Sequence, residues 1–571
     1  MQRTKKPMPV GVEDFKELVT RNYYFIDKTG FIKEYLDAQG KVTLITRPRR
    51  FGKTLTLSML RYFFTLEQAE EHRQLFSGLY IESAGERYIG EQGSLPVVFW
   101  TLKDIQMSNW KDETERMALS LSNLYREYLF LLESPALAEV DRAAFLSVLE
   151  RRCNLPELTD ALRNLCHMLK LHFGRAPLLL LDEYDAPIIC AWENGYYKEC
   201  VDFMRGFLGA ALKTNPSLAS AVLTGVTRIS KESIFSGLNN LSICSVLTQR
   251  YNDSFGFTRE EAAMLMDECG VGDKLPELRR WYDGYLIGGM EIYNPWSVIQ
   301  FIDHNCVFQP YWLNTSGNAI LKDLLEHVDS RRKKELEGLL HEKPVEALVM
   351  ENFVFGNIKG NRNALWMLLM TTGYLKPVEV WKDEDNTDWA RLQIPNLEVR
   401  TAYRNEILDY IVPSQGEILL RDMLRSMAKG DTEEFAENLS DILRDFVSYH
   451  DAAQPESFYH GLLLGFSVLM DGKYRVESNK ESGYGRFDIA FFPLKEGNPG
   501  VILEIKATQS EAELEEKAKE ALAQIKEKKY GAELGRQGAT EIWQYGIAFC
   551  GKRVWLEALP SKNNNQVPDG K

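Results

Sequence analysis

The chain has 571 residues, enough for three or four domains that each bury a core. With 44% hydrophobic and 26% charged residues it has the composition of a folded soluble protein, which sets aside a largely disordered chain. The formal net charge of -14 excludes nucleic-acid binding through the overall field, so a phosphate partner would have to meet a local basic groove.

The eight cysteines are scattered without a CxxC pair, which reads as buried free thiols rather than a zinc site or a disulfide framework. No apolar run approaches the ~18 residues that a membrane span needs, and the start "MQRTKKPMPVGVEDF" lacks the apolar core of a signal peptide. A cytoplasmic protein with no membrane partner is therefore the expectation.

In chain order, "KVTLIT" (41–46) predicts a short strand, and "LTLSMLRYFF" after it predicts a helix. "LPVVFWTL" (95–102), "APLLLLDEYD" (176–185) and "SAVLTGVTR" (220–228) predict further buried strands, with long helical patterns between them. Buried strands alternating with helices imply a parallel sheet covered on both faces. From about 240 to 330 the pattern turns helical and aromatic, as in "RRWYDGYLIGG" and "YNPWSVIQFI". Over 345–412, helix-like "ALWMLLMTTGYL", strand-like "KPVEVW" and "RLQIPN", and helix-like "LEVRTAYRNEILDYI" suit a winged-helix or small α+β unit. A helical lid with a hairpin would read alike. Asp431 with Glu434 three residues on predicts an N-cap that opens an amphipathic helix.

Between the first strand and its helix lies "RPRRFGKT", which ends like a phosphate-binding loop but puts Arg47 at the opening glycine position. Such a loop offers backbone N–H groups and a helix N-terminus to an anion. Gly52, Lys53 and Thr54, with Arg49 and Arg50 in the same loop, are the expected contacts to ATP. Lys53 would reach the β- and γ-phosphates, and the Thr54 hydroxyl would ligate magnesium. At the end of "LLLLDEYD", Asp182 suits the magnesium shell and Glu183 the orientation of attacking water. Thr224, Thr227 and Arg228 end the next strand, where a hydroxyl and a guanidinium could sense a γ-phosphate. An apolar strand followed by a solvated acidic turn is the alternative for the carboxylates.

"MPVGVEDFKELVTRNYYFIDKTGFIKEYL", "RPRRFGKTLTLSML", "LLLDEYDAPI" and "LTGVTRISKESIFSGLNNL" together resemble the bacterial AAA-ATPase-like family, whose members commonly carry a C-terminal PD-(D/E)XK nuclease-like domain. The resemblance covers most of the chain and implies that the arginine-led loop is a family feature. It also implies that Asp27 and Lys28 lie near the nucleotide, with a helix-capping pair as the alternative. The implied fold is α/β: a P-loop NTPase parallel sheet over 1–238, a helical lid over 239–340 and a winged-helix-like or helical linker region over 341–450. A restriction-endonuclease-like α/β domain over 451–560 and a disordered tail over 561–571 complete it.

In the C-terminal part, "FDIAFFPL" and "GVILEIKAT" predict a hairpin on which Asp488 and Glu504 can share a face. Glu504 and Lys506, two residues apart, must share one. This is the Asp...Glu-x-Lys constellation of the PD-(D/E)XK nucleases. The carboxylates and the Ile505 carbonyl would hold magnesium, and Lys506 would hold or help deprotonate a water. Gln524, on the following helix, resembles the glutamine that in this superfamily steadies the active-site strand or contacts a phosphate. Tyr530 and the lysines before it could face DNA, Glu477 is a further metal neighbour, and His460 reads as a packing or capping residue. A solvated strand edge with an incidental ion pair is the alternative, and the glutamates of "EAELEEKAKEAL" read as a solvated face of i,i+4 pairs.

The expected function is therefore an ATPase coupled to a magnesium-dependent nuclease acting on nucleic acid, DNA first, with self-association left open. The alternatives are a regulatory ATP-binding switch whose C-terminal domain grips nucleic acid or protein without cutting, and an ATPase whose nuclease-like domain serves assembly.

Overall fold

The computed structural model describes residues 6–227, 240–312, 342–349, 362–401, 417–446, 456–470, 473–478, 485–495, 497–528 and 541–562. It also describes the short stretches 235, 335–336, 338–340, 403, 481–482, 534–535 and 539. The chain divides into two compact units, 1–320 with 329–401, and 321–328 with 402–571.

In the first unit, β1 (Val42–Thr46), β2 (Val97–Thr101), β3 (Leu178–Asp182), β4 (Ser220–Gly225) and β5 (Leu241–Cys244) form a parallel sheet in the order β2-β3-β4-β1-β5. Every residue of β1 and β3 is buried, as expected for apolar runs covered on both faces. Since β4 lies between β1 and β3, its C-terminal end sits between the "RPRRFGKT" loop and the "DEYD" turn. Helix α1 (Lys53–Phe64) follows Gly52, whose φ of 82° lets the chain turn sharply into the helix, and buries Leu57, Met59, Leu60, Phe63 and Phe64.

The expected boundary at 238 falls before β5, which completes the parallel sheet. The region expected to be a helical lid also carries a small antiparallel sheet, β6 (Phe257–Thr258), β7 (Tyr285–Ile287) and β8 (Met290–Tyr293), in the order β6-β8-β7. Its hairpin turns at Gly288 and Gly289, with φ of 55° and 84°, which is the turn that a Gly-Gly pair between strands favours. Helix α2 (Pro295–Asp303) follows, with the Asn294 side chain accepting from the Trp296 N–H. Further on, β9 (Val345–Leu348), helix α3 (Arg362–Thr372), β10 (Lys376–Lys382) and β11 (Asp388–Gln393) make an antiparallel sheet in the order β10-β11-β9.

The second unit begins with α4 (Glu417–Lys429), α5 (Thr432–Phe446) and α6 (Glu456–Phe466). Asp431 caps α5, its Oδ1 accepting from the Glu434 N–H at 3.2 Å. Next come β12 (Tyr474–Ser478), a short ribbon of β13 (Glu481–Ser482) and β14 (Gly485–Arg486), β15 (Ile489–Pro493) and β16 (Gly500–Ala507). Helix α7 (Leu514–Lys528), β17 (Glu541–Cys550) and β18 (Arg553–Lys562) complete the unit. The sheet order is β12-β15-β16-β17-β18, and only β16 and β17 run parallel, with α7 as the crossover between them. Leu503 and Ile505 pack with α4, α5 and α6 on one face, while Ile502 packs with Leu522 and Ile525 of α7 on the other. Helices α4 and α5, expected in the middle region, thus belong to the C-terminal core: Leu420, Met423, Phe435 and Leu439 have their apolar partners on this sheet.

All eight cysteines are free. Among the described residues no helix is long and apolar enough to cross a membrane.

Candidate functional site

The first unit holds a cavity of about 700 Å3 at the C-terminal end of its parallel sheet. Arg49, Arg50, Gly52, Lys53 and Thr54 line it together with Glu183 and Asp185. At its apolar end stand Val12, Phe25, Phe257 and Trp296, a volume and a mixed lining suited to a drug-sized or nucleotide-sized ligand. Thr54 donates through Oγ1 to Asp182 Oδ2 at 2.7 Å, and Thr224 donates to Asp182 Oδ1 at 2.5 Å. The expected magnesium-shell residues Thr54 and Asp182 are therefore in direct contact. Lys53 is buried and donates to the carbonyls of Arg47 and Pro48 at 3.1 and 2.9 Å. Burial pushes its pKa down, opposed by the charges of Glu183, Asp182 and Asp185. Glu183 has its pKa raised, chiefly by burial, and takes a φ of 50°, a left-handed conformation that non-glycine residues seldom adopt.

The remaining residues of this region take the following places. Arg47 stays off the cavity: its fully buried guanidinium donates to the carbonyls of Thr46, Cys244, Ser245 and Tyr251 at 2.9 to 3.0 Å. The Thr227 hydroxyl, expected to sense a γ-phosphate, instead donates to Asp185 Oδ2 at 3.0 Å, and the Val226 and Thr227 N–H groups bond the same oxygen. Asp185, the third acid of "DEYD", carries no signal of its own in the sequence beyond its place three residues after Asp182. Asp27 caps the turn before the helix at Gly30, accepting from the Thr29 N–H and hydroxyl at 2.8 and 2.6 Å. Lys28 lines the cavity but pairs with Glu261 at 2.6 Å. Arg228 lies outside the described residues.

In the second unit, β15 and β16 pair so that Ile489 faces Leu503, and the register carried one residue further sets Asp488 opposite Glu504. Asp488 Oδ2 accepts the Ile505 N–H at 2.8 Å, which fastens the two strands at this point. Glu504 is buried; its Oε1 accepts from Gln524 Nε2 of α7 and lies 3.8 Å from Lys506 Nζ. Its Oε2 is buried without a hydrogen-bond partner. Burial, then the Asp488 charge, push the Glu504 pKa up to about 8 against the pull of Lys506. Asp488, Glu504, Lys506 and Gln524 are thus brought together. Among the described residues no group of three or more His, Cys, Asp and Glu side chains could hold a metal, and the acids brought together here are two, Asp488 and Glu504. An orphaned carboxylate oxygen beside a second carboxylate fits a hard divalent cation.

Around this group, His460 Nε2 meets the Asp488 carbonyl at 3.1 Å and Ser478 Oγ at 3.0 Å, so it supports the backbone of Asp488. Glu477 pairs with Arg475 at 3.3 Å. The exposed face of α7 is laced by Lys519–Glu515 and Lys517–Glu520 pairs, which matches the solvated reading of its glutamates. Tyr530 lies outside the described residues.

Residues 9–235 match the family model described as Predicted AAA-ATPase, and residues 454–558 match that of the PD-(D/E)XK nuclease superfamily. The chain is 25% identical over 555 residues to the "Uncharacterized protein in vnfD 5'region" of Azotobacter chroococcum mcd 1, which covers 96% of this chain and 97% of that protein. One polypeptide therefore carries an AAA-ATPase-like domain and a PD-(D/E)XK nuclease-superfamily domain.

Proposed function

We propose that the first unit binds and hydrolyses ATP with magnesium and that the second cuts a phosphodiester bond of nucleic acid, DNA first, with a divalent metal. One observation carries this reading: each unit buries an acidic residue next to a second carboxylate and a lysine, Asp182 with Glu183 and Lys53, and Glu504 with Asp488 and Lys506.

In the first unit, Lys53 would exchange the loop carbonyls for the outer phosphates, and Thr54 and Asp182 would hold the magnesium that accompanies the nucleotide. Glu183, whose pKa burial raises, would orient a water for attack. In the second unit, Asp488, Glu504 and the Ile505 carbonyl would hold a metal ion. When bound there it supplies charge neutralisation at the phosphate and a more acidic water. Lys506 positions that water, and Gln524 keeps Glu504 turned toward the site.

The test uses the purified full chain with magnesium and ATP on linear, circular and single-stranded DNA. Lys53→Ala should lower ATP turnover about 100-fold, and Asp488→Ala should lower cleavage by at least as much. Undiminished cleavage by the Asp488 variant removes the nuclease assignment. Nucleotide binding without any metal-dependent cutting would favour a regulatory switch that grips its partner.

A further inference from the structure

We propose that Trp312 and Glu398 are positioning residues for the phosphate loop: together they hold the Arg49–Arg50 peptide so that its N–H faces the outer phosphates of a nucleotide. The inference rests on the nucleotide reading above and adds the elements that shape the loop.

The Trp312 indole N–H donates to the Arg49 carbonyl at 3.3 Å. In a planar trans peptide the C=O and the following N–H point in opposite directions. A carbonyl turned toward Trp312 therefore leaves the Arg50 N–H directed away from Trp312, a residue that does not line the cavity, whereas Arg50 does. Arg50 has a φ of 68°, a conformation that a non-glycine residue keeps only when its surroundings enforce it. Two contacts do so: the Trp312 hydrogen bond on one side, and the Arg50 guanidinium lying 4.4 Å over the Trp296 ring on the other.

Both tryptophans answer to one carboxylate. Glu398 is fully buried, and its Oε1 accepts the N–H groups of Tyr311 and Trp312 at 2.6 and 2.7 Å. Its Oε2 accepts from Ser297 Oγ at 2.8 Å, one residue after Trp296. The Trp296 indole N–H closes the circuit by donating to the Tyr311 carbonyl at 3.3 Å. A buried carboxylate is a costly way to stabilise a core, and burial raises the Glu398 pKa to about 7. What it achieves here is a fixed spacing between the two rings that grip the loop.

The experiment measures binding of fluorescent N-methylanthraniloyl ATP and AMP, and thermal melting, for the full chain and three variants. Trp312→Phe keeps a six-membered ring against Tyr374 and removes the donor together with the five-membered ring of the indole. It should weaken ATP about tenfold and leave AMP affinity unchanged, while the smaller ring lowers the melting temperature without unfolding the chain. Glu398→Gln preserves all three contacts, the amide oxygen accepting both backbone N–H groups and the amide nitrogen donating to Ser297, and should bind like the wild type. Glu398→Ala should lose ATP affinity at least tenfold relative to AMP. The proposal is overturned when Trp312→Phe binds ATP as the wild type does, when it loses ATP and AMP alike, or when Glu398→Gln is as weak as Glu398→Ala. A wild-type chain that binds neither nucleotide overturns the nucleotide reading itself, and this proposal with it.

Discussion

Arg47 occupies the position where a phosphate loop ordinarily opens with glycine, yet its side chain reaches back into the core and its N–H bonds the Gly225 carbonyl at 3.1 Å. Four backbone carbonyls on β1, β5 and the loop after β5 depend on that guanidinium, which also lies 5.3 Å over the Phe255 ring. Burial lowers its pKa to about 10, still far above neutrality, so the charge is present and shared among those carbonyls. Arg47→Gly would restore the usual motif but leave the carbonyls unpaired around a void. We expect it to destabilise the first unit by roughly 3–5 kcal/mol, read as a lower midpoint in urea denaturation. A variant as stable as the wild type, or one with tighter ATP binding, would contradict the strut role.

At the scale of elements, the nuclease-like site depends on how closely α7 approaches the sheet. Gly546 of β17 pairs with Glu504 of β16, and a Cβ at Gly546 would come within 2.2 Å of the Ala518 carbonyl of α7. The absence of a side chain there lets the helix lie against the strand and bring Gln524 onto Glu504. Gly546→Ala should push α7 outward, cost about 1–3 kcal/mol in the second unit, and reduce cleavage by separating Gln524 from Glu504. Cleavage at the wild-type rate in a folded Gly546→Ala protein would show that the Gln524 contact has no part in the chemistry.

Over the whole molecule, each unit has its own core, and helices α4 and α5 are integral to the second. A fragment of residues 402–571 should therefore melt cooperatively, whereas one beginning at 451 exposes the surface that Leu420, Met427, Phe435 and Ile442 cover and should aggregate. Circular dichroism melts of the two fragments decide between the boundaries; equal, cooperative unfolding of both would contradict the wider unit. The matches to an ATPase family and a nuclease superfamily fall one in each unit.

Local backbone geometry made much of this legible from the sequence alone. Period-two alternation and the hairpin put Glu504 beside Lys506 and across from Asp488, the apolar runs announced the parallel sheet, and Gly52, Lys53 and Thr54 marked the loop that lines the cavity. Those features depend on residues close together in the chain, where strand and helix periods fix which side chains are neighbours. Only the tertiary structure decided that Arg47 turns inward, that Lys28 pairs with Glu261, that Thr227 serves Asp185, and that Glu398 joins Ser297 to Trp312. Each of those partners is supplied by packing between elements distant in sequence, and no local period carries that information.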